Sequence, residues 1–154
     1  MLVTNQYVNS YKRLVPGFGA PTVIGWSCRN RSSLVRVPHY KPGKEAAARF
    51  ELRSPDPACN PYLVFAVLLG AGLKGIEEGL DLAEPVESSA EFDKAATLPD
   101  NLGSATELFA GSELMKTVLG NDIHQFIVDN KREEWEDYCA QVTQWEIEPS
   151  FPIL

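Results

Sequence analysis

Between Tyr62 and Ile76 apolar residues recur at three- and four-residue steps, so that Tyr62, Phe65, Ala66, Leu69, Leu73 and Ile76 form one stripe of a helix. Asn60 supplies an N-cap and Pro61 a first helical residue, and the helix runs to about Glu78. Val64, Val67 and Leu68 widen the stripe, which predicts a central, buried helix. Gly70, Gly72 and Gly75 each cost roughly 1 kcal/mol relative to alanine, which close packing on another backbone would offset. Upstream the period shortens. Val3–Leu14 reads as a short mixed element closed by the Pro16-Gly17 turn. Val23–Trp26 and Leu34–Val37 read as strands from their β-branched and aromatic content, the second ended by Pro38. Arg49-Phe50-Glu51-Leu52-Arg53 alternates charged and apolar residues, a strand period with Arg49, Glu51 and Arg53 on one face.

Downstream, Leu80–Asn101 lacks an apolar pattern, and residues 83–100 read as a surface loop. Ser104-Ala105-Thr106-Glu107 is a capping box opening a short helix over Ala105–Ala110. A second short piece spans Ser112–Leu119 and stops at Gly120. The last long helix starts near Asp122, with Ile123, Phe126, Ile127, Trp135, Tyr138, Val142 and Trp145 expected on its buried side. Lys131, Arg132, Glu133, Glu134, Glu136 and Asp137 cover its solvated side. The tail Phe151–Leu154 needs an apolar dock.

Composition narrows the class. The chain has 154 residues, 44% of them hydrophobic, enough for one domain with a core. No run approaches the roughly 18 apolar residues of a membrane span, and the N-terminus does not read as a secretory signal. Cys28, Cys59 and Cys139 fit no metal-binding spacing and cannot all pair, which points to a reducing, cytoplasmic setting.

Charge is segregated. Residues 1–53 carry nine basic side chains against Glu45 and Glu51, a net of +7, whereas residues 54–154 carry −14. Either an anionic partner meets the basic third, or that third docks on the chain's own acidic helices. Neither a GxxxxGK[ST] phosphate loop nor GxGxxG is present, and His39 and His124 are too isolated for a metal pair. Arg13, Arg29, Arg31, Arg36, Arg49 and Arg53 remain, with Glu51 among them. Guanidinium groups grip carboxylate and phosphate oxygens two at a time, and a carboxylate oxygen suits a divalent cation. The bland alternative for the Arg49–Arg53 strand is a solvated face on which the arginines bridge to Glu51.

These residues also fall in ordered blocks: Asn9-Ser10-Tyr11-Lys12-Arg13-Leu14-Val15-Pro16-Gly17, Arg29-Asn30-Arg31-Ser32, Arg49 to Pro57, and Asn60-Pro61-Tyr62-Leu63. They resemble the carboxy-terminal part of class I glutamine synthetase. The resemblance implies ATP-dependent joining of L-glutamate and ammonia through γ-glutamyl phosphate, with Mg²⁺ or Mn²⁺. Arg13, Arg31 and Arg53 resemble substrate-binding arginines, Arg31 being the catalytic one that contacts both phosphate and glutamate. Arg31, Arg36 and Arg49 look like the arginines of the nucleotide phosphates. Glu51 resembles one metal ligand.

Three departures accompany the resemblance. Phe18-Gly19-Ala20-Pro21 places Gly19 where the family has a glutamate that assists ammonia deprotonation. The family's amino-terminal domain and most of its metal ligands lie upstream of the matched region. Phe92 stands near the position of a regulatory tyrosine in some relatives. The resulting expectation is an α+β fragment of the catalytic domain spanning residues 1–154, with a few antiparallel strands carrying the arginines and several helices behind them. Alone it is expected to be inactive, with an upstream glutamine synthetase chain or further copies of itself as partners. A non-catalytic anion-binding or interaction module is the alternative. A nucleic-acid partner is not expected, because no recognised motif and no aromatics interleave with the arginines.

Overall fold

The computed structural model describes residues 1–151 and 153, and among these it has an α+β fold. A 3₁₀ turn over Val8–Arg13 precedes β1 (Val23–Ser27), β2 (Ser33–Arg36) and β3 (Glu51–Leu52). Six helices follow: α1 (Pro61–Glu77), α2 (Ser89–Phe92), α3 (Leu102–Ala110), α4 (Glu113–Leu119), α5 (Asn121–Cys139) and α6 (Gln144–Ser150).

The strand order is β1-β2-β3. The antiparallel expectation holds for β2 and β3, where Arg36 lies opposite Glu51 and Val35 opposite Leu52. It fails for β1 and β2, which run parallel with Trp26 opposite Val35. Parallel neighbours usually need a connection of a dozen or more residues. Here Cys28–Ser32 alone makes the return, and side chains satisfy its backbone. The Ser27 hydroxyl donates to the Asn30 carbonyl, and Asn30 Oδ1 accepts from the Ser32 N–H.

Only Glu51–Leu52 of the alternating run pairs as strand, because Arg49 and Phe50 lie beyond the end of β2. The segment 83–100 is mostly exposed but tied to β1. Val86 and Leu98 are buried, and Val86, Leu98 and Ala96 exchange backbone hydrogen bonds with Trp26, Thr22 and Ile24.

Sequence capping signals are realised closely. Asn60 Oδ1 accepts from the N–H groups of Tyr62 and Leu63, and Ser112 caps α4. Helix α3 begins earlier than the capping-box reading, because Asn101 caps it through the Ser104 N–H. The core joins Leu2, Val3, Tyr11 and Leu14 to Val64 of α1, Leu102, Ala105 and Phe109 of α3, and Val128 of α5.

One burial expectation is reversed and another holds in part, since Ile127 and Trp135 of α5 do pack against the core. Helix α1 turns Val64 inward, whereas Tyr62, Phe65, Leu69, Leu73 and Ile76 of the expected stripe are exposed. Helix α5 buries His124 and Val128, whose positions sit between those expected, and leaves Phe126 exposed. It ends at Cys139, so Val142 and Trp145 are not on it, and both are exposed. Neither helix has enough protein around it to cover all its apolar positions. In the tail, Phe151 and Ile153 are exposed and undocked, while Pro152 and Leu154 lie outside the described residues.

Candidate functional site: an arginine cluster around Glu51

Antiparallel pairing of β2 with β3 sets Arg36 opposite Glu51, and Arg53 follows two residues on, on the same side of the chain. Arg36 Nη1 donates to Glu51 Oε2 at 3.2 Å, and Arg53 Nε lies 3.6 Å from Glu51 Oε1. The Arg–Glu–Arg bridge of the bland reading is therefore present, formed with Arg36 rather than Arg49. Arg53 reaches further, its Nη2 donating to the Gly19 carbonyl at 3.0 Å. Arg13 does not bond to Glu51: its Nη2 donates to Asn5 Oδ1 at 2.9 Å and to the carbonyl of Ser54, the residue after Arg53.

Donors remain unspent. Arg13 Nε, Arg36 Nε and Arg53 Nη1 are buried and have no hydrogen-bond partner. Buried polar groups are paired in the great majority of cases, so each of these orphaned guanidinium nitrogens calls for a ligand or water, two of them on the pair of arginines that meet at Glu51. The Arg53 side chain is only 16% exposed, against 35% for Arg36, which makes its orphan the more demanding of those two. The Tyr11 hydroxyl is likewise buried without a partner, and burial, reinforced by Asp56 and Glu134, pushes its pKa up so that it stays protonated.

Arg31 and Arg49 stand apart from this bonded group. Arg31 is exposed in the β1–β2 return and makes no hydrogen bond or ion pair among the described residues. Arg49 donates to the Ala47 carbonyl and lines a hollow of about 160 Å³ with Cys28, His39 and Tyr40. Gathering Cys28 and His39 beside Arg49 is a product of the chain's folding back, which no local pattern announced. Asn5 and Ser54, which orient Arg13, were also missed. The Asn5 side chain is an ordinary polar group near the chain start, and the Ser54 contact is through backbone.

The basic third is not neutralised internally. Of the six ion pairs among the described residues, two lie within residues 1–53 and four within residues 54–154, and none bridges the two. The acidic contacts between the two parts run through backbone instead, Glu134 accepting from the Val8 N–H and Glu87 from the Cys28 N–H, so the internal-docking alternative stands without ion pairs.

A divalent metal does not fit the residues present. Glu51 is one carboxylate already shared by two guanidinium groups, and among the described residues no three His, Cys, Asp or Glu side chains gather to hold an ion. Gly19 has φ +76°, a left-handed conformation that a β-carbon resists. A glutamate at this position would therefore be strained in this backbone.

Comparison with known proteins places this geometry. A family model described as the catalytic domain of glutamine synthetase matches residues 1–150. The glutamine synthetase of Mycolicibacterium smegmatis is 50% identical over 153 residues, covering 94% of this chain and 34% of the relative. That of Methanosarcina mazei is 44% identical, covering 99% and 35%. Among solved structures, a GmaS/ADP complex superposes with a TM-score of 0.83 at 36% identity, covering 98% of this chain and 36% of the other. GmaS without ligand gives 0.77. The chain spans about a third of the length of the curated relatives it matches. Of the arginines expected on strands only Arg36 lies in one, but the family model, the relatives and the superposition agree, and the chain belongs to the glutamine synthetase catalytic-domain family, as its C-terminal part.

Proposed function

We propose that this chain supplies the arginine wall of a glutamine synthetase site, binding the phosphates of ATP and the carboxylate of L-glutamate. The observation that carries the reading is the trio of buried, unpartnered nitrogens on Arg13, Arg36 and Arg53. Arg13 and Arg53 face glutamate, Arg36 and Arg49 the nucleotide phosphates, and Arg31 both. Phosphoryl transfer depends chiefly on positioning and charge neutralisation, which guanidinium groups provide. That the related GmaS has been solved with ADP supports a nucleotide as one of the anions.

Glu51 would offer one oxygen to a divalent ion, but among the described residues no group of three His, Cys, Asp or Glu side chains gathers to complete a metal set. Gly19 provides no carboxylate to accept a proton from ammonia. The isolated chain is accordingly an anion binder and not a competent ligase. The alternative of a non-catalytic binding module has the same missing metal set in its favour.

Two measurements test this. The purified chain, free of host synthetase, forms no glutamine from glutamate, ammonia and MgATP above a heat-inactivated control. By calorimetry it binds ATP or pyrophosphate in the high micromolar to millimolar range, about −4 to −6 kcal/mol, with no dependence on Mg²⁺. Turnover, or submicromolar Mg²⁺-dependent binding, would overturn the reading. A nucleic-acid partner would instead reveal itself by affinity falling linearly in log salt.

A further inference from the structure

The sequence sets Lys131, Arg132, Glu133, Glu134, Glu136 and Asp137 on the solvated side of α5. Two of them turn inward. The Lys131 and Glu134 side chains are only 12 and 29% exposed, and Lys131 Nζ lies 2.7 Å from Glu134 Oε2. The other oxygen, Oε1, accepts from the Val8 N–H at 3.1 Å. Val8 opens the 3₁₀ turn, so its N–H has no acceptor inside the turn and depends on Glu134 for one. Lys131 Nζ also sits 4.8 Å from the centre of the Tyr7 ring. One helical turn further along α5, the Tyr138 hydroxyl accepts from Lys12 Nζ at 3.3 Å. Residues 131, 134 and 138 share a helix face, so α5 grips the turn at Tyr7, Val8 and Lys12.

Arg13 is the last residue of that turn. Its Nη2 is tied to Asn5 and Ser54, while its Nε is buried without a partner. A 3₁₀ turn has poorer internal hydrogen-bond geometry than an α-helix, so outside anchors decide where its ends stand. A bond to an ionised acceptor is the stronger kind, and both Glu134 oxygens are engaged. We propose that Glu134 is a positioning residue: through the Val8 N–H it sets the start of the turn and so the place of the Arg13 guanidinium. Lys131 in turn holds the Glu134 carboxylate. This deepens the arginine reading above and rests on it for the ligand, since Arg13 is there assigned to the glutamate carboxylate.

The test follows the Arg13 Nε–H by NMR in the isotope-labelled full chain, the signal being assigned by its loss in Arg13→Lys. Its hydrogen exchange needs no ligand. Glu134→Ala should speed exchange at Arg13 about tenfold or more and leave the Arg36 Nε–H, also buried, unchanged. Val8→Pro removes the donor and keeps the carboxylate, and proline suits a first helical position after the extended Tyr7. It should speed exchange as much, and the double variant should be no faster than either single one. Glu134→Gln keeps an oxygen for Val8 and should stay within about threefold of the parent chain. If the alanine variant does not fold by circular dichroism, Val8→Pro carries the same comparison. Parental exchange at Arg13 in a folded variant, an equal rise at Arg13 and Arg36, or additive rates in the double variant would each overturn the proposal. L-Glutamate is then titrated against the same signal, and Glu134→Ala should need several-fold more of it; equal affinity in both chains would also overturn the proposal. A signal that L-glutamate never moves counts against the ligand assigned to Arg13, while the ligand-free rates still decide the role of Glu134.

Discussion

Glu51 is the residue on which opposing demands meet. Its carboxylate neutralises Arg36 and Arg53, both partly exposed, and such pairs contribute roughly 0–1 kcal/mol to stability. Glu51→Gln therefore leaves the unfolding midpoint nearly unchanged but frees two guanidinium groups. Pyrophosphate affinity of the isolated chain should rise several-fold, read by calorimetry. A fall would mean that Glu51 orders the arginines more than it competes with their ligand. Gly19 is decided by backbone. Nothing lies within 4 Å of a β-carbon built there, so the cost of a side chain is conformational alone. Gly19→Glu should destabilise by about 1–2 kcal/mol and Gly19→Asn by less, since asparagine tolerates the left-handed region. Denaturant unfolding of both variants checks the order. The conformation also bears on restoring the family glutamate, because at φ +76° its side chain would enter a backbone that resists a β-carbon.

At the scale of elements, the glycines of α1 are not equivalent. Gly70 faces the Val118 side chain of α4, not another backbone, and Gly72 and Gly75 have open space around them, so the expected backbone packing is absent at all three. Gly72→Ala should stabilise the isolated chain by roughly 0.5–1 kcal/mol through helix propensity. Gly70→Ala should destabilise it, because the valine must shift before that gain is realised. Helices α3 and α5 are joined by a bidentate pair, Arg132 to Glu107 at 2.8 and 2.9 Å. Hydrogen bonding from Arg132 lowers the Glu107 pKa, so the folded state binds that proton less readily than the unfolded chain. The pair's contribution is present above the ordinary carboxylate range and is lost as pH falls through the lowered folded value. Glu107→Gln should flatten this part of the pH–stability curve, measured by thermal unfolding between about pH 3 and 6.

At the scale of the molecule, exposed large apolar side chains outnumber the buried ones among the described residues. Isolated exposed apolar residues are ordinary, but the α1 stripe is continuous. The free chain should bind an uncharged hydrophobic dye such as Nile red, with fluorescence reduced by Phe65→Asp together with Leu69→Asp. No change would mean that the dye instead enters the apolar cleft of about 420 Å³ beside Val64 and Leu68.

Local chemistry determined what could be read without coordinates. The Asn60 cap, the Pro61 start and the Gly120 stop rest on hydrogen bonds and dihedrals spanning a few residues, and each stands where the sequence puts it. The arginine blocks carried the family for the same reason, being ordered runs of side chains with one chemistry. Which face of α1 is covered was not local. Both faces are apolar, and only the partners present in space select Val64 over Phe65. The parallel pairing of β1 with β2, the meeting of Arg36 and Arg53 on Glu51, the bonding of Arg13 to Asn5 and Ser54, and the ties from residues 86–98 to β1 depend on contacts between separate segments. Periodicity reports that a side chain is apolar; only the tertiary structure decides whether another surface is there to meet it.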